Sequence, residues 1–220
     1  MKKLVVVLAV LALAVASQAD LIASWDFNGF AGDEASANGT MDANMQTSTL
    51  TRGGGLVASA NSGRFNANSY TIGATLDNAI ANSDYFTLTL QANATYQFSL
   101  DNVVLNFQFS STGPANWAIF SSVADFASSG DAIQTWTGIS NNSQQTADLS
   151  GVSGLQSASG PIEFRVYGYG ATSSGGTGGF EGSGNDIAFN GSVSAVPEPT
   201  VVGLLALGTA IAAGLRRLKK

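Results

Sequence analysis

The 220-residue sequence contains no cysteine and no histidine. Without cysteine there is no disulfide bond and no thiol nucleophile, so a folded domain must rely on its apolar core or on bound ions. Without histidine, the common zinc sites and the Ser-His-Asp triads of hydrolases are excluded as well. These two absences remove many enzyme classes at once.

Basic residues are scarce and lie mostly at the two ends. Of nine lysines and arginines, only Arg52, Arg64 and Arg165 lie between Asp20 and Val196. The same stretch holds 14 acidic residues against these three arginines, a net charge of about −11. No nucleic-acid partner is expected, because phosphate binding needs a basic surface. An anionic glycan would be repelled unless a divalent cation bridged the two.

The first 19 residues have the pattern of a secretory signal peptide. Met1–Lys3 is a short cationic segment, and the apolar run Leu4–Val15 follows it. Ser17–Ala19 has small residues at the two positions that signal peptidase recognises. The apolar run is too short to span a hydrocarbon core, which needs about 20 residues. We expect signal peptidase to cleave after Ala19, leaving residues 20–195 as an exported domain.

Residues 196–220 are typical of a membrane anchor. Val196–Thr200 contains two prolines, and the apolar run Val201–Leu215 follows it. A transmembrane helix over about 200–215 is predicted, provided that flanking basic side chains extend to the interface. The alternative is a core helix of a soluble domain, but Thr209 is the one polar residue in the run, so no amphipathic stripe exists for docking.

A basic cluster ends the chain and predicts its orientation. Because cationic flanks of membrane segments stay in the cytoplasm, the acidic domain is expected on the opposite side. The cluster consists of Arg216, Arg217, Lys219 and Lys220.

Between the two ends, apolar and polar residues alternate in short runs, the pattern of half-buried strands. In Val103–Phe109, for example, alternate apolar side chains project from one face of a strand. Many short strands with long polar connections predict an all-β domain, an antiparallel, jelly-roll-like β-sandwich. The predicted strands cover residues 21–27, 86–90, 96–100, 103–109, 117–121, 162–169 and 186–193.

Two glycine-rich segments, Arg52–Gly55 and Thr172–Gly179, interrupt this pattern. A phosphate-binding loop would need a strand before it, a helix after it and a following lysine, and this context is missing. We therefore interpret Thr172–Gly179 as a flexible surface loop between the last two strands.

The tail resembles the PEP-CTERM sorting signal of exported bacterial proteins. The motif Pro197-Glu198-Pro199, an apolar span and an arginine cluster stand in the order of that family. The two prolines keep the motif extended just outside the bilayer, where a protease can bind it. The resemblance implies recognition by an exosortase, a membrane protease and transpeptidase, and delivery to the cell surface or an exopolysaccharide matrix. The alternative is an ordinary proline-containing juxtamembrane linker.

The resemblance extends less specifically into the domain. Many proteins with this tail carry β-sandwiches with an early aromatic strand and a late glycine-rich loop, and Ser24–Phe27 and Phe164–Gly170 are similar to that pattern. It implies a fold and a location, and no settled activity.

Carbohydrate binding is one hypothesis for the domain, because sugar rings stack on exposed aromatic side chains. The alternative is that the tryptophans are core anchors, as large aromatic residues in small sandwiches usually are. Alternation along Ile162–Tyr167 predicts that Tyr167 faces away from the core. The candidate glycan contacts are Tyr167, Tyr169, Trp117 and Trp136.

Calcium is a second ligand hypothesis, because aspartate and asparagine oxygens abound, although no EF-hand spacing occurs. The alternative is an acidic surface that is simply solvated. The hypothetical ligands are Asp26, Asn28, Asp33 and Asp186. No other metal or cofactor is expected.

A glycosidase needs two carboxylates at a defined separation, and no spacing among Glu163, Glu181 and Asp186 singles out a pair. The sequence therefore favours a non-enzymatic structural or adhesive protein of an exopolysaccharide-rich envelope. A carbohydrate-binding module is the alternative, and an exported glycan hydrolase is the second alternative.

Overall fold

The structure, a computed structural model, describes residues 20–182 and 184–197. The predicted signal peptide, transmembrane helix and basic cluster lie outside the described residues, as do Glu198 and Pro199 of the motif. Among the residues described, none of the helices has the length and apolar character needed to cross a membrane.

In this part of the chain the fold is all-β, with antiparallel strands throughout its sheets, as predicted. One α-helix, α1 (Leu76–Asn82), and two short 3-10 helices, Ser129–Asp131 and Ser153–Leu155, accompany the strands. The strands are β1 (Asp20–Trp25), β2 (Ala37–Asn38), β3 (Thr40–Met41), β4 (Thr49–Arg52), β5 (Val57–Ala58), β6 (Phe65–Asn68), β7 (Tyr85–Leu90), β8 (Tyr96–Phe109), β9 (Asn116–Ser121), β10 (Gln134–Trp136), β11 (Ser143–Asp148), β12 (Ile162–Tyr169), β13 (Gly178–Phe180) and β14 (Ile187–Ala195).

The strands form two sheets. The eight-stranded sheet runs in the order β3-β1-β14-β8-β13-β6-β5, and β11 also pairs with β8. The six-stranded sheet runs β10-β9-β12-β7-β4-β2. Aromatic side chains from both sheets meet in one core, which makes the arrangement sandwich-like. The ring centroids of Phe107 and Trp117 lie 4.5 Å apart and those of Phe164 and Phe189 4.9 Å apart.

Strand β8 is continuous across a point where the sequence predicted two strands. Before Asp101 the buried side chains are Phe98 and Leu100, and after it they are Val103 and Leu105, so the alternation changes phase. The register with β14 shifts at this position, which is the signature of a β-bulge. The bulge absorbs the extra residue and keeps both halves facing the core.

Helix α1 covers part of the outer face of the six-stranded sheet, and no periodic pattern in the sequence predicted it. Thr75 caps its first turn by accepting from the Asn78 N–H, and Ser83 ends it in the left-handed conformation. Leu76 and Ala79 pack on Tyr167 and on neighbours from β9. Two helical turns are too short for amphipathic periodicity to stand out.

The glycine-rich segment Thr172–Gly179 is only partly a surface loop, and the prediction is wrong for its last residues. Gly178–Phe180 is a fully buried strand that pairs with β6 on one side and β8 on the other. A Cβ atom at Gly179 would lie 2.2 Å from the Phe65 carbonyl oxygen. Glycine is therefore present because a neighbouring backbone approaches closely.

Candidate functional site

The four aromatic residues predicted as glycan contacts differ in exposure. Trp117 is completely buried in the main core, as the core-anchor alternative predicted. Trp136 and Tyr169 are half-buried, and the Trp136 ring packs edge-on against Phe107 at 5.7 Å. The role of these two residues in glycan contact stays a prediction.

The prediction that Tyr167 offers an exposed ring is wrong. Its side chain points away from the main core, but its residue exposure is 0%. The rings of Tyr85 and Phe120 lie 5.2 and 5.1 Å from it, and α1 packs over the same cluster. Alternation gave the correct face, and the helix that covers this face was not predicted.

Of the proposed calcium ligands, Asp26 and Asn28 share a local turn, and the charge of Asp26 acts on Asp186. Asp26 is exposed and its Oδ1 accepts the Asn28 N–H in a local turn. Asp33 is also exposed. Its negative charge acts on Arg52 and partly offsets the lowering of the Arg52 pKa by burial. Within residues 20–182 and 184–197 no three acidic side chains are grouped to hold a metal ion.

Asp186 is the most unusual carboxyl group described. It is 1% exposed, its Oδ2 accepts the Phe27 N–H at 2.8 Å, and its Oδ1 has no partner among the described residues. Burial raises its pKa to about 6, and the negative charges of Asp26 and Glu181 add to the effect. Ionisation of Asp186 is therefore less favourable in the folded protein than in water, although a pKa of about 6 still leaves the group mostly ionised at pH 7.

Each of the three arginines in the domain is engaged within the protein. Arg165 donates to Glu163 at 2.6 Å and lies over the rings of Phe126 and Tyr85. Arg64 donates to Glu181. Because the domain has 14 acidic residues and three arginines, most acidic residues have no arginine beside them and the outer surface is strongly negative.

Arg52 holds together several loop carbonyl groups. Its guanidinium group donates to the oxygens of Gly32, Glu34 and Asn66 at 2.6–3.0 Å and lies 3.8 Å from the centre of the Phe65 ring. Burial lowers its pKa to about 10, which still leaves it charged at neutral pH.

Arg52→Lys is expected to lower the free energy of unfolding by about 2 kcal/mol, because an ammonium group cannot reach three diverging carbonyls or stack on a ring. Urea unfolding measures the change. The control is Arg165→Lys, whose side chain is more exposed and whose replacement should cost clearly less. Equal losses for both variants would contradict this role of Arg52.

A polar cavity, which we call the Glu181 recess, lies beside β8 and β11. Its volume is about 350 Å³, and its lining residues are Asn106, Asn142, Ser143, Gln144, Glu181 and Gly182. A second hollow of about 380 Å³ shares Glu181 and Gly182 with it and is also lined by Asn28, Gly63 and Gly184. Glu181 is thus the carboxylate lining both hollows.

Hydrogen bonds fix the walls of the recess. The Glu181 N–H donates to the Asn106 carbonyl at 3.0 Å. The Asn106 side chain donates to the Asn185 carbonyl at 3.0 Å and accepts from Gln144 Nε2 at 3.2 Å. A Cβ atom at Gly182 would lie 2.7 Å from the Asn106 amide nitrogen, so a glycine leaves room for this amide.

Sequence reasoning missed this recess, because its residues come from three separated parts of the chain. A signal was present in the unbroken polar run from Ser140 to Gln145, which is rich in amides. Without the pairing of β11 with β8, nothing in the sequence placed this run beside Glu181.

The motif predicted for sorting begins where the chain leaves the fold. The Val196 N–H donates to the Thr95 carbonyl at 2.8 Å, and Pro197 follows as an exposed residue. No protein-family model, no curated protein and no solved structure matches this chain.

Proposed function

We propose that this chain is an exported surface or extracellular-matrix protein with a non-enzymatic, structural or adhesive role in an exopolysaccharide-rich envelope. In this proposal signal peptidase removes residues 1–19, and a transmembrane helix over about 200–215 holds the protein in the membrane. An exosortase then recognises Pro197-Glu198-Pro199, with the basic cluster on the cytoplasmic side.

The observation that carries the proposal is the position of the two chain ends in the fold. Strand β1 contains Asp20, the first described residue and the first after the predicted cleavage site, and β14 ends at Ala195, two residues before Pro197. The two strands are antiparallel neighbours, and Asp20 pairs with Gly191. Asp20 and Ala195 therefore lie at the same end of the sheet, an arrangement that allows both ends of the domain to face the membrane before signal peptidase acts.

Charge also supports this location. Six of the nine basic residues lie at the two ends of the chain, where they orient membrane segments, and the three arginines of the domain are engaged within the fold. A strongly negative surface keeps such a protein from adhering to anionic polymers nonspecifically.

Two finer features belong to the same proposal. The sandwich is proposed to be jelly-roll-like. In such a topology, strands that are far apart in sequence lie side by side, as β1 and β14 do and as β8 and β13 do. A binding or structural role is favoured over hydrolysis, because a single carboxylate, that of Glu181, lines the two hollows.

The test is the mass of the mature protein from its natural host. The expected form begins at Asp20 and ends near Pro199. The double variant Pro197→Ala/Pro199→Ala is expected to keep Lys220 and to remain in the membrane fraction, because the motif is no longer held extended. Pro161→Ala, a change at an exposed proline within the domain, is the control and should be processed normally. An intact Lys220 in the wild-type protein, or normal processing of the double variant, would refute sorting by cleavage.

A further inference from the structure

The Glu181 recess presents hydrogen-bonding groups that the protein itself does not use. Among the described residues, the Asn142 carboxamide, Gln144 Oε1 and the second oxygen of Glu181 have no protein partner. The Ser143 hydroxyl accepts from Gln145 and has its own hydrogen to donate. The recess therefore offers donors and acceptors side by side.

The framework of the recess is built before any ligand arrives. Asn106 is held between the Asn185 carbonyl and Gln144, and Glu181 is held by Arg64. Polar groups that are already ordered lose little side-chain entropy on binding. Asn106, Gln144 and Glu181 are thus held in place before binding, whereas the exposed Asn142 side chain is ordered by the ligand.

Charge restricts the class of ligand. The net negative charge of the domain disfavours an anion, and a cation gains little because Arg64 already pairs with the one carboxylate that lines the recess. Hydroxyl groups, which donate and accept at once, match amides that do the same. The volume, about 350 Å³, is near the lower end of the 300–1,000 Å³ that is typical of small-molecule sites.

We propose that the Glu181 recess binds a neutral, polyhydroxylated ligand, namely one unit or a short stretch of an uncharged glycan. The Asn142 and Gln144 side chains and the free Glu181 oxygen bind its hydroxyl groups. This inference goes beyond the proposed surface role and does not depend on sorting by an exosortase, since the processing of the termini and the binding of sugar are measured separately.

The full chain, kept in a mild detergent, is titrated with neutral mono- and disaccharides and in parallel with glucuronic acid. Binding is followed by the side-chain NH₂ resonances of asparagine and glutamine in nitrogen-15 NMR. We expect the Asn142 and Gln144 resonances to move with at least one neutral sugar. The uronic acid should bind more weakly at low salt, because the domain repels it.

Two variants remove the proposed contacts. Gln144→Ala deletes one amide, and Asn142→Gly deletes the other while keeping the left-handed backbone at this position, where φ is 55°. Each should weaken binding about fivefold to tenfold. The control is Thr146→Ala, an exposed residue of the same strand face that does not line the recess, and it should bind like the wild type.

Three results would overturn the inference: no neutral sugar moves the two amide resonances, both variants bind as tightly as Thr146→Ala does, or the uronic acid binds more tightly than the neutral sugars. A protein that is correctly processed but binds no neutral sugar would leave the surface role intact and remove the recess as a glycan site.

Discussion

Asp186→Asn is expected to make the protein about 2–3 kcal/mol more stable at pH 7 and to change its stability little at pH 3–4. Burial raises the pKa of this carboxyl group from 3.8 to about 6 in the folded protein. Below pH 3.8 both folded and unfolded chains hold the proton, so ionisation costs nothing. As the pH rises from 3.8 to 6 the unfolded chain ionises first, and the wild-type protein loses stability.

Asparagine keeps the geometry and removes the charge. Its carbonyl oxygen can accept the Phe27 N–H as Asp186 Oδ2 does, and its NH₂ group has no proton to lose. Urea unfolding from pH 3 to pH 8 should therefore show a difference between variant and wild type that grows from near zero to its full value above pH 6.

The control for this pH series is Asp148→Asn, a change at an exposed carboxylate. Asp148 accepts from the Ser150 N–H and hydroxyl, which lower its pKa. Its charged form is favoured in the folded state, so its replacement should weaken the protein slightly at neutral pH, with the opposite sign. A lower stability of Asp186→Asn than of the wild type at every pH would contradict the expectation that ionisation of Asp186 costs stability.

Local patterns predicted strands β1, β7, β8, β9, β12 and β14, whereas β2–β6, β10, β11 and β13 were not predicted. Residues 86–90 and 162–169 were predicted as strands from alternation, and they are strands β7 and β12 in the structure. Between residues 100 and 103 the alternation of apolar and polar residues changes phase, and two separate strands were therefore predicted. Only the pairing with a partner strand shows whether such a change marks a turn or a bulge. Here β14 shows that it is a bulge.

Contacts between distant segments were not predictable in the same way. Alternation placed Tyr167 on the outer face of the sheet. Helix α1, some 90 residues earlier in the chain, packs over this face and buries the Tyr167 side chain. The Glu181 recess likewise needs the pairing of β11 with β8 and the passage of the chain after β13. A single sequence shows which residues are polar, but it does not show which polar residues from different segments meet.

The glycine-rich segment is the clearest case in which composition misleads. Glycine and serine in Thr172–Gly179 have the composition of a flexible linker, yet Gly178 and Gly179 are buried in a strand between two others. Composition cannot distinguish a glycine that is free to move from one that a neighbouring backbone requires. Substitution by alanine can make that distinction.

Gly179→Ala is expected to destabilise the protein by about 3 kcal/mol or more, because its methyl group would overlap a backbone that cannot turn aside. The new Cβ atom would lie 2.2 Å from the Phe65 oxygen and 2.9 Å from the Asn66 Cα, both in β6. To make room, β6 and β13 must separate, which breaks their pairing and disturbs the packing of Phe180 against Phe86. Urea unfolding and the thermal midpoint measure the loss.

The matched control is Gly175→Ala, four residues earlier in the same glycine-rich segment. The nearest atom to a Cβ there is the Ser173 hydroxyl oxygen at 3.9 Å, and the backbone is not left-handed. Alanine should therefore be neutral or stabilise by up to about 1 kcal/mol, since it restricts the unfolded chain. If the two variants behaved alike, β13 would not be the fixed central strand described above, and the segment would be the flexible surface loop that its composition predicts. A large loss confined to Gly179→Ala would instead establish that close approach of the β6 backbone determines the choice of glycine at this position.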